Sequence, residues 1–516
     1  MTSTDQPTTH TRTGPGPVAR WLALGVLVLA VLLVTLDVTV LVVATPHLSE
    51  DLAPSGTQLL WIGDVYSFVI AGLLVSMGSL GDRIGRKKLL LIGAVAFGAA
   101  SVLCAYAQNP EMLIAARALL GVAGATLMPS TLALIANIFP DPRQRSLAIG
   151  IWGAAASAGE AVGPLVGGLL LEHFWWGSVF LINVPVAVVL VAAGIWLLPE
   201  SRDPNPGPWD LPSVGLSLVG MVAVVYAVKG IAVHGVSGDV VAAAALGVAG
   251  LFWFGRRQLR LASPLLDMRL FAHRGFSGSV AANLVTILGL TGLVFFLSQF
   301  LQLVQDRSPL QAGMFSVPTA VGAVGAGLVA GVVARRTSVR VAVCGGLVAV
   351  GLALAGCSAI TANTSFVVLA MALFIAGLGS GLTFAVTVDA ILSTVPKDQA
   401  GAASAVAETG YELGAALGIA VLGSIVTGIY RGYTTPADIP ATVADTAHDS
   451  LGSAIEAAGK LPTDQGASLL SVARDAFTHG FQVATGVGSA ILLATAVAAW
   501  FLLRGQMLED SCTEHP

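Results

Sequence analysis

Apolar stretches of about twenty residues recur along nearly the whole 516-residue chain. A helix needs roughly 20 mostly apolar residues to cross the hydrocarbon core of a bilayer. The composition agrees, with 55% hydrophobic residues, 10% charged residues and a mean hydropathy of +0.84. These values lie far outside the usual range of soluble proteins. The chain is therefore predicted to be an all-α polytopic membrane protein.

Fourteen membrane spans are predicted from these stretches. They cover residues 21–44, 59–79, 89–107, 111–138, 146–171, 178–198, 211–231, 239–255, 276–302, 309–334, 340–360, 364–393, 400–429 and 478–503. The residues before the first span are rich in Thr and Pro and show no signal-peptidase pattern, so 21–44 is expected to be retained.

Basic residues are distributed unequally between the two sides of these spans. With the N-terminus inside, nineteen of the 25 Lys and Arg residues fall in cytoplasmic segments and four fall outside. The positive-inside rule then places both termini in the cytoplasm. The one long outside loop, 430–475, is polar and has no cluster of ligand residues, so we assign it no chemistry.

Several function classes find no support in the sequence. It contains no GxxxxGK[ST] loop for ATP, no HExxH pair and no CxxC pair. The net charge of −4 gives no indication of nucleic-acid binding. We expect no metal, no cofactor and no nucleic-acid partner, and an ion gradient as the source of energy.

A polar loop between spans two and three, GSLGDRIGRKK (78–88), carries a specific pattern of glycines, acid and bases. Its pattern residues are Gly81, Asp82, Arg83, Gly85 and Arg86. The loop resembles the signature between spans two and three of the major facilitator superfamily. A solvated basic turn would explain the charges but not the spacing. The loop alone also fits a sugar or nutrient symporter.

The order of the spans extends the resemblance. Residues 331–346 are a degenerate repeat of the 78–88 loop, as expected if the chain consists of two related six-span halves. Prolines 204, 206 and 208 interrupt any helix before an extra pair of spans. This arrangement resembles the fourteen-spanner drug:proton antiporter branch of the superfamily. The expected parts are a cytoplasmic tail (1–20), an N-terminal six-helix bundle (21–198), a linker with two additional spans (199–275), a C-terminal six-helix bundle (276–504) and a second tail (505–516).

Charged residues inside the spans carry the functional argument. They are Asp37, Asp64, Arg117, Glu160, Glu408 and Glu412. Each costs about 2.5–3.5 kcal/mol near the bilayer centre. Arg117 can neutralise one of the five acids, which leaves at least four without a basic partner. The alternative is that buried pairs only lock helices together.

Two of these acids lie on one face of span thirteen. Glu408 and Glu412 are four residues apart, whereas Gly410, Gly414 and Gly418 form a separate stripe that lets a neighbouring helix approach. Two carboxylates this close cannot both ionise cheaply in a dry site. The segment GAASAVAETGYELG also resembles a signature of the fourteen-span branch. Both glutamates are therefore candidates for cation recognition or a second proton site.

The first and fourth spans resemble the proton-coupling part of these antiporters. Asp37 matches the acid of an LDxTVxxxAxP motif, in which the aspartate is taken as a proton-coupling group. Arg117 begins RALLGVAGATLMPS (117–130), and the resemblance makes it a partner in the relay, to which we also assign Asp64. The alternatives are a satisfied helix–helix hydrogen bond at Asp37 and a structural ion pair of Arg117 with Asp64 or Asp37.

Span five contains GEAVGPLVGG (159–168), which matches the antiporter signature around a Gly-Pro pair. Gly159, Gly163 and Gly167 form a small-residue stripe, and Pro164 interrupts the helical hydrogen bonds. The resemblance implies that this motif separates exporters from importers. Glu160 departs from the family, which has a small or uncharged residue there. It either extends the acidic cavity or is a neutral acid between helices.

Together, these resemblances imply a proton-coupled exporter of lipophilic, mainly cationic drugs. Trp61 and Tyr411 are candidates for stacking on planar cations, although interfacial or lipid-facing positions explain such rings equally well. The expected protein is a monomer in a bacterial cytoplasmic membrane, in contact with drugs, protons and lipid, and it is not an enzyme. A dedicated exporter of a self-made antibiotic is the main alternative. A nutrient importer, a receptor and a membrane-embedded enzyme fit less well.

Overall fold

A computed structural model describes residues 16–203, 210–234, 237–396, 399–436 and 439–504, and the regular elements within these ranges are helices. The α-helices are α1 (Pro17–Leu52), α2 (Gly56–Ile84), α3 (Arg86–Ala105), α4 (Pro110–Ile138), α5 (Pro142–His173), α6 (Ser178–Leu181), α7 (Asn183–Leu197), α8 (Leu211–His234), α9 (Gly238–Gln258), α10 (Arg274–Gln299), α11 (Pro309–Met314), α12 (Ser316–Arg336), α13 (Val339–Cys357), α14 (Phe366–Ser393), α15 (Ala400–Tyr430), α16 (Ala441–Asp449), α17 (Leu451–Ala458) and α18 (Thr463–Leu502). A 3₁₀ turn (Met268–Ala272) precedes α10, and a π turn (Phe300–Val304) follows it. The linker prolines 204, 206 and 208 and most of both predicted tails lie outside the described residues.

Short polar residues begin several of these helices. Ser55 and Gln58 form a reciprocal capping box at the start of α2. Asn109 accepts a hydrogen bond from the Met112 amide at 2.8 Å, and Asp141 caps α5 just before a proline at its first position. These side chains satisfy amides that have no partner within the helix, which fixes where each span starts.

In the described part of the chain, fourteen helical segments are long and apolar enough to cross a membrane. They coincide with the fourteen predicted spans, and the all-α fold is confirmed. Spans six and ten each combine a short helix with a long one, α6 with α7 and α11 with α12.

The last span differs from its predicted bounds. Helix α18 begins at Thr463 rather than at 478, so part of the predicted outside loop is helical. This first part of α18 is amphipathic, with Leu469, Ala473 and Phe477 buried and polar residues between them. Its mean hydropathy is therefore too low for a membrane span although its helical period is regular. Helices α16 and α17 occupy more of the same loop, and α17 packs against α18.

The first six and the last six spans pack in the same pattern. In the first group, helix pairs α1–α5, α2–α4, α3–α4, α3–α7 and α1–α7 are in contact. In the last group, the corresponding pairs are α10–α15, α12–α14, α13–α14, α13–α18 and α10–α18. Helices α5 with α12 and α2 with α15 join the two groups. We call the two groups the N-half (α1–α7) and the C-half (α10–α18).

Helices α8 and α9 form an additional hairpin beside the halves. Helix α8 packs against both α2 and α15, where Phe68 and Ala416 meet Met221 and Val225 in one buried cluster. Asp210, just before α8, accepts two hydrogen bonds from Arg257 at 2.7 and 2.9 Å, which closes the hairpin. These hydrogen bonds hold the pKa of Asp210 below its usual range.

Between α2 and α3 the chain reverses at Gly85. Its φ of 111° is a conformation that side chains rarely adopt, and a Cβ there would lie 2.6 Å from the Glu200 carboxylate. Helices α2, α4, α12 and α14 all end on this side of the bundle, which follows from the alternating direction of the spans. We call this side the basic end.

Candidate functional site

A buried ion pair joins the first and fourth spans. Arg117 Nη1 donates to Asp37 Oδ2 at 2.6 Å, and the two side chains are 1% and 0% exposed. Asn183 donates to the other Asp37 oxygen at 2.8 Å, and Arg117 Nε donates to the Ile62 carbonyl at 3.2 Å. The guanidinium also lies 4.7 Å from the centre of the Tyr66 ring. Residues from α1, α2, α4 and α7 therefore form one network around Asp37.

Asp64 belongs to a different pair. Its carboxylate accepts a hydrogen bond from Lys229 Nζ of α8, and both side chains are partly exposed. The prediction that Arg117 is the one basic partner of these acids is wrong, because α8 brings Lys229 against α2. Of the five acids, Asp37 and Asp64 are paired, so three rather than four have no ion pair in the described residues. The arginine pairs with Asp37 and not with Asp64.

The remaining acids of spans five and thirteen lie together between the halves. Tyr411 Oη of α15 donates to Glu160 Oε1 of α5 at 3.1 Å. Glu412, the next residue on α15, interacts electrostatically with both Glu160 and Lys229. Glu160 is solvent-exposed although it lies midway along α5. These side chains therefore line a cavity that water can enter.

Glu408 lies deeper in the same region. It is 4% exposed and has no hydrogen bond or ion pair within the described ranges. The charged group that acts on it electrostatically is Glu412, a like charge. An isolated buried charge costs several kcal/mol, so this carboxyl needs either a proton or a cation as partner.

The glycines of span thirteen lie on another face of α15. A Cβ on Gly414 would lie 2.5 Å from the Leu284 carbonyl of α10, and one on Gly418 would collide with the Leu288 carbonyl. Gly410 is more loosely placed, 3.9 Å from Val280. The glycine face therefore packs against α10, while the glutamate face is turned towards α5 and α8.

Two groups of aromatic rings flank the acids. Trp152 and Phe384 stack with their centroids 5.9 Å apart, and Tyr411 contacts Phe384 edge-on at 6.4 Å. Trp61 is 39% exposed and meets Phe68 edge-on at 5.9 Å. Tyr411 thus lies beside the acids, whereas Trp61 lies beside the Asp64 pair.

The motif of the 78–88 loop joins the halves at the basic end. Asp82 accepts hydrogen bonds from the amides of Gly401 and Ala402, in the first turn of α15, at 3.0 and 3.1 Å. Arg86 binds the same carboxylate at 2.6 Å. The positive end of the α15 dipole and a guanidinium therefore hold one buried acid. Gly81 lies one turn before Gly85, and Arg83 Nε donates to Ser79 at 3.4 Å.

A second contact at the basic end could not be predicted from the sequence. Arg145 Nε of α5 donates to the buried Asp389 of α14 at 2.6 Å. Near this pair, Gly150 of α5 and Gly327 of α12 meet backbone to backbone. Asp389 is an acid within the apolar span 364–393, and this position indicates that it needs a basic partner. The sequence does not show which one, because Arg145 is 244 residues away.

The Gly-Pro motif of span five lies against α1. A Cβ on Gly159 or Gly163 would collide with the hydroxyls of Thr35 and Thr39, and one on Gly167 would lie 3.4 Å from Val40. Pro164 is an interior residue of α5. The close approach of α5 to α1 therefore depends on these small residues.

The cavity has a closed and an open end. In the described part of the chain, all hydrogen bonds, ion pairs and ring contacts between the halves lie in one region of the bundle. This region begins at the Glu160–Tyr411 hydrogen bond and ends at the basic end. None of them lies on the opposite side of Glu160, and Glu160 itself is exposed. The cavity therefore opens away from the basic end. No metal-binding group of three or more His, Cys, Asp or Glu residues occurs in the ranges described.

Comparison with known proteins agrees with this architecture. Residues 27–419 match the model of the Major Facilitator Superfamily. The chain is 46% identical to the multidrug efflux pump LfrA of Mycolicibacterium smegmatis, over 95% of this chain and 97% of that protein. It is 37% identical to the methyl viologen resistance protein SmvA of Salmonella typhimurium (94% and 98% covered). It is 35% identical to the puromycin resistance protein pur8 of Streptomyces alboniger (97% and 93% covered).

Two solved structures share the fold. The human organic anion transporter MFSD10 matches with a TM-score of 0.65 at 14% identity, over 95% of this chain and all of that one. A bacterial homologue of the human lysosomal transporter Spinster matches with a TM-score of 0.58 at 18% identity, over 96% of this chain and all of that one. The matched family model, the curated relatives and the repeated six-span halves all lead to one conclusion: the chain belongs to the major facilitator superfamily, as a multi-pass membrane transporter.

Proposed function

We propose that the protein exports lipophilic, mainly cationic drugs in exchange for protons. In this proposal it acts as a monomer in a bacterial cytoplasmic membrane, without a cofactor, and neither catalyses a reaction nor binds nucleic acid. Both termini and the basic end face the cytoplasm, in line with the distribution of Lys and Arg. The cavity then opens outward in the conformation described.

The observation that carries the proposal is the group of Glu160, Glu408 and Glu412 between the halves. None of the three forms an ion pair in the described residues, and one is deeply buried without a hydrogen-bond partner. Such a group favours any species that brings positive charge, whether a proton or an organic cation. Competition of these two species for the same carboxylates is the simplest basis for exchange.

The Asp37 network supplies a second proton site in this proposal. Protonation of Asp37 removes its charge and weakens the bond to Arg117, which frees the guanidinium within a region that spans four helices. A change of charge at this point therefore reaches α1, α2, α4 and α7 together. Since α1 packs on α5, the change is transmitted to the helix that carries Glu160.

The relatives support export of drugs. LfrA is named a multidrug efflux pump and SmvA a methyl viologen resistance protein, and methyl viologen is an organic cation. Each of them is matched over nearly its full length. An acidic cavity agrees with substrates of this charge.

The test is dye-driven proton movement in energised inverted membrane vesicles that contain the full chain. Ethidium should collapse the pH gradient with the wild type and not with Asp37→Asn. Vesicles with Asp37→Glu, which keeps the carboxyl group, are the matched control. A wild type that leaves the gradient unchanged when ethidium is added would contradict drug:proton exchange.

A dedicated exporter of one antibiotic is the second candidate. The resemblance to pur8, which is named for resistance to puromycin, supports it. The same vesicles separate the two candidates, because a dedicated exporter responds to one compound and not to a panel of unrelated cations.

A further inference from the structure

Lys229 brings a positive charge into the acidic region from outside the two repeated halves. It lies in the last part of α8, which has no counterpart among the six-span repeats, and its ammonium bonds to Asp64 of α2. Its side chain is 28% exposed and that of Asp64 is 33% exposed, so water reaches this pair. An ion pair with this exposure contributes little to stability.

The surroundings of the Lys229 ammonium resemble a binding site for an organic cation. The nitrogen lies 5.2 Å from the centre of the Phe68 ring, within the range of a cation–π contact. Trp61 and Tyr226 meet the same ring edge-on at 5.9 and 6.5 Å. A carboxylate and one aromatic face therefore contact a primary ammonium group, and two further rings pack against that aromatic ring.

This position is continuous with the glutamates of the cavity. Lys229 interacts electrostatically with Glu412, which lies on the same helix face as Glu408. Glu408 is almost fully buried and has no partner in the described ranges, so the carboxyls already provide a place for one positive charge. Asp64 would provide a place for a second charge if the lysine were absent.

We propose that Lys229 is a built-in cation that occupies one of two cation subsites, and that it thereby limits how strongly the protein binds substrates with two positive charges. The inference rests on the proposed drug site and adds a residue that sets its charge selectivity. A substrate with one charge binds at the glutamates and leaves the lysine in place. A substrate with two charges has to compete with the Lys229 ammonium for Asp64 and the Phe68 ring.

The test is calorimetric titration of the purified full-length protein with two probes, ethidium with one permanent charge and methyl viologen with two. The measured quantity is the ratio of the methyl viologen affinity to the ethidium affinity. In Lys229→Gln this ratio should rise by about two- to fivefold, the range expected for one released, partly exposed carboxylate. Lys229→Met is the second neutral variant if the glutamine variant does not fold.

Three controls link the effect to this pair. In Lys229→Gln combined with Asp64→Asn, the ratio should return to the wild-type value, because the second carboxylate is gone. Lys460→Gln removes an equally long basic side chain from an exposed pair that involves none of the acids of the cavity, and the ratio should stay unchanged. Lys229→Arg keeps the positive charge, and the ratio should stay as low as in the wild type.

Each outcome decides the matter. An unchanged ratio in the neutral variant that folds would overturn the inference and leave Lys229 as a link between α8 and α2. A raised ratio that persists in the double variant would also overturn it, because the gain would not depend on Asp64. A wild type that binds neither probe would overturn the proposed function itself, and the subsite with it.

Discussion

Neutralising one member of the Asp37–Arg117 pair should destabilise the protein far more than neutralising both. The three variants are Asp37→Asn, Arg117→Met and the double variant. Each single change leaves one charge buried, since the two side chains are no more than 1% exposed. The double variant leaves two neutral side chains in the same space.

The magnitudes follow from this burial. Removing one partner of a buried ion pair costs about 3–5 kcal/mol, because the other charge loses its compensation. In the double variant, the lost hydrogen bond to the Ile62 carbonyl costs about 0.5–1.5 kcal/mol. The amide oxygen that Asp37→Asn leaves can still accept the hydrogen bond from Asn183. We therefore expect the double variant to be more stable than Arg117→Met, although it carries more substitutions.

The measurement is thermal unfolding in detergent, followed by dye-driven proton movement in inverted vesicles. The double variant should fold and yet show no exchange of ethidium for protons. A double variant no more stable than either single variant would refute the reasoning about matched charges. A double variant that still exchanges dye for protons would show that the pair only holds helices together, and coupling would then be sought at the glutamates.

Three further predictions concern other parts of the bundle. Gly150→Val should abolish most export, because the valine side chain would press on the α12 backbone where the halves close. Gly168→Ala lies on the same helix but has open space around it, and this variant should retain export. Dye uptake by intact cells measures export by both variants. Glu412→Gln should weaken ethidium binding about tenfold by titration, as expected for loss of a charge-assisted contact, while Glu412→Asp should bind within a few-fold of the wild type. Exposed Lys88, changed to Cys in a Cys512→Ser background, should react with an impermeant maleimide in inverted vesicles and not in intact cells. Labelling of intact cells would reverse the proposed orientation.

The membrane spans could be predicted from the sequence because each is encoded locally. Twenty apolar residues specify a span without reference to any other part of the chain. The start of α18 shows the limit of this approach. Its first turns are stabilised by packing against α17, and an amphipathic helix that borders a membrane span has no separate signature in mean hydropathy.

The partners of the charged residues could not be predicted in the same way. Asp64 and Lys229 are 165 residues apart, and Arg145 and Asp389 are 244 apart. The sequence shows that each charge needs compensation but not which distant residue supplies it. Asn183 is a further example, since an asparagine in an apolar stretch has many possible partners and only the fold brings it to Asp37. The proton-coupling and drug-binding roles of the acids stay predictions.

The two halves meet along two seams, one between α2 and α15 and one between α5 and α12, and helix α8 makes these seams unequal. It covers the seam between α2 and α15, whereas the seam between α5 and α12 has no such additional helix among its packing partners in the described residues. If the halves rock against each other, the seam between α2 and α15 must slide along α8, whereas the seam between α5 and α12 opens without such a cover in the described residues. The α8–α9 hairpin therefore makes the two sides of the bundle unequal for any motion of one half against the other.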